Sequence, residues 1–155
     1  MNVVDFSGWD MPLNYAGGTV QEHLATRRKA GLFDISHMGR FAVGGPDALP
    51  FLQGLLSNNA AALDVNQAQY TFMTTDTGGA VDDCYLYRFR QDEYLLVVNA
   101  ANRHKDWAYL ESARGSGVTS SNDSCESIIM QSEMYSKTVT LVDRTEQIAM
   151  LALQG

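Results

Sequence analysis

The chain has 155 residues, 45% apolar and 19% charged, with a formal net charge of -7. That length buries a real core, and the composition is globular rather than disordered. The acidic balance argues against nucleic acid or an anionic membrane as the main partner, because phosphate binding needs a basic surface. No apolar run approaches the ~20 residues of a membrane span. The N-terminus lacks the basic and apolar regions of a signal peptide. Cys84 and Cys125 have no metal-type or redox-type spacing and read as reduced thiols of a cytosolic-type compartment.

Met1 to Leu13 carries Phe6, Trp9 and Met11 around Gly8 and Pro12, and reads as an irregular segment laid over a core. Thr19 and Glu22 fit a capping box, opening a helix from Val20 to about Ala30 that Gly31 stops. Leu32 to Val43 reads as one extended stretch, ended by Gly44, Gly45 and Pro46. Asp47 to Leu56 has Leu49, Leu52, Leu55 and Leu56 at helical spacing, with Pro50 in the tolerant first turn. Gln69 to Thr74 is a short strand.

A β-hairpin follows: Val81 to Phe89, a polar turn at Gln91 to Glu93, and Tyr94 to Val98. The Gly78-Gly79 pair marks the turn before it. Asn102 opens a helix, Arg103 to about Ala113, that presents Trp107 and Leu110 to a core. Gly115 to Ser124 is small and polar and reads as an exposed loop, with a short amphipathic helix from Glu126 to Lys137 after it. Val139 to Val142 and Ile148 to Leu153 read as strands joined by a turn at Asp143 to Glu146. The fold class is α+β, a largely antiparallel sheet with flanking helices. An apolar strand directly before Gly155 suggests the front part of a longer chain.

Few residues suggest chemistry. Ser36 and His37 are strand neighbours on opposite faces, so they read as a structural polar pair rather than a nucleophile and its base. None of His23, His37 and His104 lies four residues from another, so no metal site is expected. The glycine pairs lack phosphate-loop spacing. Asp82 and Asp83 begin an apolar strand, and only one of the two can point inward. A carboxylate in an apolar pocket needs a partner or a job. A turn carboxylate capping backbone N–H groups explains the pair equally well. Asn99 at the end of its strand has the same ambiguity.

Several stretches together go further. D-F-S-G-W-D-M-P-L at 5–13, E-H-L-A-T-R-R-K-A-G-L-F-D-I-S-H-M at 22–38, G-G-A-V-D-D at 78–83 and L-V-V-N-A-A-N-R-H-K-D at 96–106 are collinear. They resemble the folate-binding domain of aminomethyltransferase, the T-protein of the glycine cleavage system. The resemblance resumes at D-R-T-E-Q-I-A-M-L-A-L-Q-G, 143–155. It lapses over Gly115 to Leu141, which reads as a variable loop or insertion (115–141) within an N-terminal part of that domain, 1–155.

The resemblance implies transfer of a one-carbon unit from an aminomethyl group on the lipoyl arm of H-protein to tetrahydrofolate, with release of ammonia. Tetrahydrofolate is the acceptor substrate and no metal is implied. Asp82 matches the family's catalytic aspartate. Met38 and Asn99 match pterin-pocket positions, and Tyr70, Phe72 and Met73 lie beside that pocket by the same resemblance. The implied compartment is the bacterial cytoplasm, or the mitochondrial matrix in a eukaryote. The alternative is a folate-binding module without transfer activity, as in relatives serving iron–sulfur maturation or fused to amine-oxidising flavoenzymes.

Overall fold

The computed structural model describes residues 1–115 and 137–155. They divide into two units, Met1–His37 with Glu146–Gly155, and Met38–Thr145. Among the described residues, no helix is long and apolar enough to cross a membrane.

In the first unit, β1 (Asn2–Phe6) and β2 (Trp9–Asn14) pair as an antiparallel hairpin. The opening segment is therefore regular, not the irregular stretch its Gly and Pro suggest. Ser7 and Gly8 both have positive φ, the signature of the two-residue turn whose twist suits a hairpin. Gly8 N–H donates to Asp5 Oδ1 at 2.8 Å. Pro12 is accommodated because β2 has a partner on one side only.

Helix α1 (Gly18–Arg28) starts earlier than the capping box predicts. Thr19 thus lies inside the first turn, and the residue before the helix, Gly17, makes no side-chain cap. Glu22 Oε1 instead accepts from Tyr15 N–H at 2.7 Å. β3 (Gly31–Asp34) pairs antiparallel with β9 (Leu151–Gln154). Ser36 Oγ braces this pair, accepting from Met150 N–H at 3.0 Å. That contact gives Ser36 the structural role expected of it.

The second unit is built on a five-stranded antiparallel sheet in the order β5-β6-β7-β4-β8. Its strands are β4 (Gly39–Gly44), β5 (Gln67–Thr74), β6 (Ala80–Arg90), β7 (Glu93–Val98) and β8 (Thr140–Asp143). The predicted hairpin is β6 with β7. The turn into β6 closes with Thr75 N–H on Gly79 O at 2.8 Å, and Gly78 takes φ +82°, cheap for glycine alone. Leu32 to Val43 is two strands, because Ile35 to Met38 leaves the extended path and the halves pair with different partners. β8 and β9 likewise belong to different sheets and do not form the expected hairpin.

One face of the large sheet carries the core. Cys84, Leu86, Leu96, Val98, Phe41 and Val43 alternate along their strands toward it. Helix α2 (Ala48–Leu55) buries Ala48, Phe51 and Leu52, an i, i+3, i+4 stripe. Helix α3 (Arg103–Arg114) buries Asp106 and Leu110, one turn apart. The Trp107 ring meets Phe41 edge-on at 5.0 Å. Tyr109 Oη donates to Thr74 O, and Lys105 Nζ to Val81 O, each at 2.7 Å. These bonds pin α3 to β5 and to β6, the strand that carries both aspartates. Val139 and Leu141 are buried in the core. The loop predicted after Gly115 and the helix predicted at Glu126 to Lys137 fall on residues 116–136 and so lie outside the described residues, except Lys137.

Candidate functional site

Strand register sets the geometry of the site. Phe72 lies opposite Asp83, and Met73 opposite Asp82. Directly opposed residues of an antiparallel pair share a face, and neighbours along a strand do not. Asp82 therefore leaves the sheet on the core face with Met73, while Asp83 leaves on the other face with Phe72 and Tyr70. Tyr70 confirms this, since its phenol donates to Asp83 Oδ2 at 2.8 Å.

Asn99 joins the two carboxyls. It follows β7 directly, and the paired Val98–Cys84 register puts it beside Asp83. Its Nδ2 lies 2.8 Å from Asp83 Oδ1 and 3.2 Å from each oxygen of Asp82. An amide nitrogen has two hydrogens, so it serves both carboxyls with one bond each. Met38 immediately precedes Gly39, which is paired with Val98, so the chain brings Met38 to the same end of the sheet. Gly39 is required here: a Cβ would meet Val98 Cγ2 at 2.6 Å and Arg103 Cγ at 3.0 Å.

The residues read from the sequence thus separate. Asp82, Asp83 and Asn99 are brought together, with Met38 on the neighbouring chain end. Tyr70 and Phe72 stand on the face opposite Asp82 and Met73. Their rings are half exposed and meet edge-on at 5.5 Å, and Tyr85 extends the row. Met73 has 0% exposure and sits in the core. The alternation of β5 sets this division between the two faces.

One functional candidate is missing from the sequence reading. Asp106, in the first turn of α3, is fully buried. Burial pushes its carboxyl up to about 7, and the adjacent Asp82 carboxyl adds to the effect. Lys105 Nζ, 4.0 Å from Asp106 Oδ1, opposes the rise without cancelling it. The signal was present in the sequence: Asp106 stands one turn before Leu110, on the helix stripe that Trp107 and Leu110 mark as buried.

The other titrating groups show how the charges partition. The Tyr70 hydrogen bond holds Asp83 below the usual carboxylate range, and the same bond raises the Tyr70 phenol. Burial, then the neighbouring Asp106, Asp82 and Asp83, pushes the Cys84 thiol up to about 12. Cys84 is accordingly an inert core thiol.

The arrangement can present a carboxyl, held by an amide, at the end of a rigid sheet. Residues 1–155 match the family described as the GCVT N-terminal domain. The chain is 43% identical over 153 residues to an aminomethyltransferase of Desulfitobacterium hafniense, covering 99% of this chain and 36% of the relative. It is 46% identical over 154 residues to an aminomethyltransferase of Thermus thermophilus, covering 99% and 38%. The solved structure of glycine cleavage system aminomethyltransferase T from Bartonella henselae superposes with a TM-score of 0.75 at 37% identity, covering 99% of this chain and 37% of that one. The chain spans little more than a third of the length of these relatives. With the match running its whole length, the chain belongs to the GCVT N-terminal domain family.

Proposed function

We propose that the chain is the N-terminal part of the folate-binding domain of an aminomethyltransferase. Its reaction moves the one-carbon unit of an aminomethyl group, borne as a thioether on the lipoyl arm of H-protein, to tetrahydrofolate. The carbon's bonds to sulfur and to the amino nitrogen break, and two bonds to folate nitrogens form. The two amine protons end on the lipoyl thiol and on ammonia, so the exchange balances without an oxidant.

Tetrahydrofolate supplies the two nucleophilic amines. Asp82 holds negative charge beside the nitrogen that becomes cationic as the new bond forms. Such stabilisation is strong because the carboxyl is already oriented and water is limited. Asn99 orients Asp82 and, with Tyr70, also holds Asp83. Met38 and Asn99 are the proposed pterin contacts. Tyr70 and Phe72, on the other face, and Met73, in the core, are left out of that contact set.

The observation that supports this reading best is Asn99 bound to Asp82 within a G-G-x-x-D-D strand. The test is aminomethyl transfer from lipoylated H-protein by a complete enzyme carrying this segment, wild type against Asp82→Asn. Turnover by the variant at the wild-type rate would reject the assignment. Folate binding without transfer by the wild type would favour the non-catalytic module.

A further inference from the structure

Asp106 raises a problem of satisfaction. Its side chain is 0% exposed, yet among the described residues neither carboxylate oxygen has a hydrogen-bond donor. Lys105 Nζ stands 4.0 Å from Oδ1 and gives its hydrogen bond to Val81 O. A buried unpaired carboxylate costs several kcal/mol, so natural structures avoid one. The helix N-terminus around Asp106 favours the ionised form only weakly by comparison.

The groups facing Asp106 leave one solution. From β6 these are Asp82 and Cys84, with the Asp83 charge acting from the other face of the sheet, and from its own helix Lys105. Cys84 is a weak donor and a neutral thiol. Asp82 and Asp106, both ionised, would face each other with no hydrogen between them. A proton on Asp106 turns that repulsion into a hydrogen bond and gives one of its two oxygens a partner. Carboxyl pairs held close share a proton for this reason.

We infer that Asp106 is a positioning residue for Asp82, a buried carboxylic acid whose O–H donates to the Asp82 carboxyl from the core side. Asn99 then holds Asp82 from the strand end and Asp106 from beneath. The pair carries one negative charge rather than two, and that charge rests on Asp82. Above the pH at which Asp106 loses its proton, the hold is lost and the two charges repel. The inference deepens the proposed role of Asp82 and rests on it for its catalytic meaning, although the shared proton exists independently of transfer.

The test is carboxyl carbon NMR of the full chain, titrated from pH 3 to 9, with the Asn99 side-chain amide as a second probe. In the wild type, the Asp106 carboxyl is expected to titrate near 7, and the Asn99 amide to show an inflection at the same pH. Asp82→Asn should lower the Asp106 midpoint by one unit or more, since a repelling charge becomes a neutral donor. Asp106→Asn keeps a neutral donor and should remove the Asn99 inflection while preserving its low-pH shift. Asp106→Leu should alter that low-pH shift, because the donor is gone. An Asp106 midpoint near 4 in the wild type, or one unmoved by Asp82→Asn, would overturn the inference. The wild-type titration decides even if a variant fails to fold. It uses neither folate nor H-protein, so a failed transfer assay and a failed titration reject different statements.

Discussion

The phenol of Tyr70 and the carboxyl of Asp83 are bonded at 2.8 Å across β5 and β6, on the face that Asp82 does not use. That bond keeps Asp83 ionised and occupied. It is the physical difference between two adjacent aspartates that look equivalent in the sequence.

Tyr70→Phe should raise the Asp83 pKa toward its ordinary value of 3.8, because the bond it removes is the main cause of the depression. A depressed carboxylate contributes stability that is present above its unfolded pKa and is lost as pH falls through the folded value. The variant should therefore be destabilised relative to wild type above about pH 4, with the difference vanishing in stronger acid. Carboxyl NMR gives the pKa, and urea melts at several pH values give the stability. An unchanged Asp83 titration would show the bond to be inconsequential.

Asp82→Asn and Asp83→Asn should separate in turnover when carried in a complete enzyme. The first should cost on the order of 10²–10³-fold, the range for removing one electrostatic stabiliser of a transition state. The second should cost far less, because Asp83 faces Tyr70. Equal losses would mean that the two carboxyls act together.

Asp106 should leave a mark on stability in the opposite direction to Asp83. Its pKa rises from 3.8 to about 7 in the folded chain. Between those values the folded state holds a proton that the unfolded state has lost, so stability falls as pH rises. Its contribution is fully present below about pH 4, declines to about pH 7 and is flat above. Asp106→Asn should remove this slope. The measurement is the wild-type minus variant unfolding free energy across pH 4–8; a difference independent of pH would count against a buried acid.

Gly39→Ala should destabilise the second unit by about 1–3 kcal/mol, the usual cost of forcing extra volume into packed surroundings. The added methyl meets Val98 and Arg103, the residue before Asn99 and the first residue of α3. The Asn99 and Asp106 resonances should therefore shift together. A denaturant midpoint equal to wild type would mean that the strand and helix separate there at little cost.

Met73→Ala should cost about 2–5 kcal/mol in stability, as for a large core side chain, because Met73 has no exposed surface. Its effect on folate affinity should follow only from that loss. A variant of native stability with weakened folate binding would return Met73 to the ligand contacts.

The elements governed by local pattern were legible in the chain. Alternation marked the β6–β7 hairpin, three-and-four spacing marked α2 and α3, and the Gly78-Gly79 pair marked the turn that delivers Asp82. The aspartate pair and Asn99 could be named from motif and resemblance alone. Partnership could not. Whether Leu32 to Val43 is one strand or two depends on β9 and β7, more than fifty residues away in sequence, and periodicity carries no record of a distant partner. The same holds for β8 and β9, which look like a hairpin and join different sheets. The face of each aspartate depended on register with β5, where a shift of one residue would exchange Asp82 and Asp83. Asp106 needed the packing of α3 against β6, because a carboxyl's charge state is set by what surrounds it in space, and only the tertiary structure puts Asp82 there.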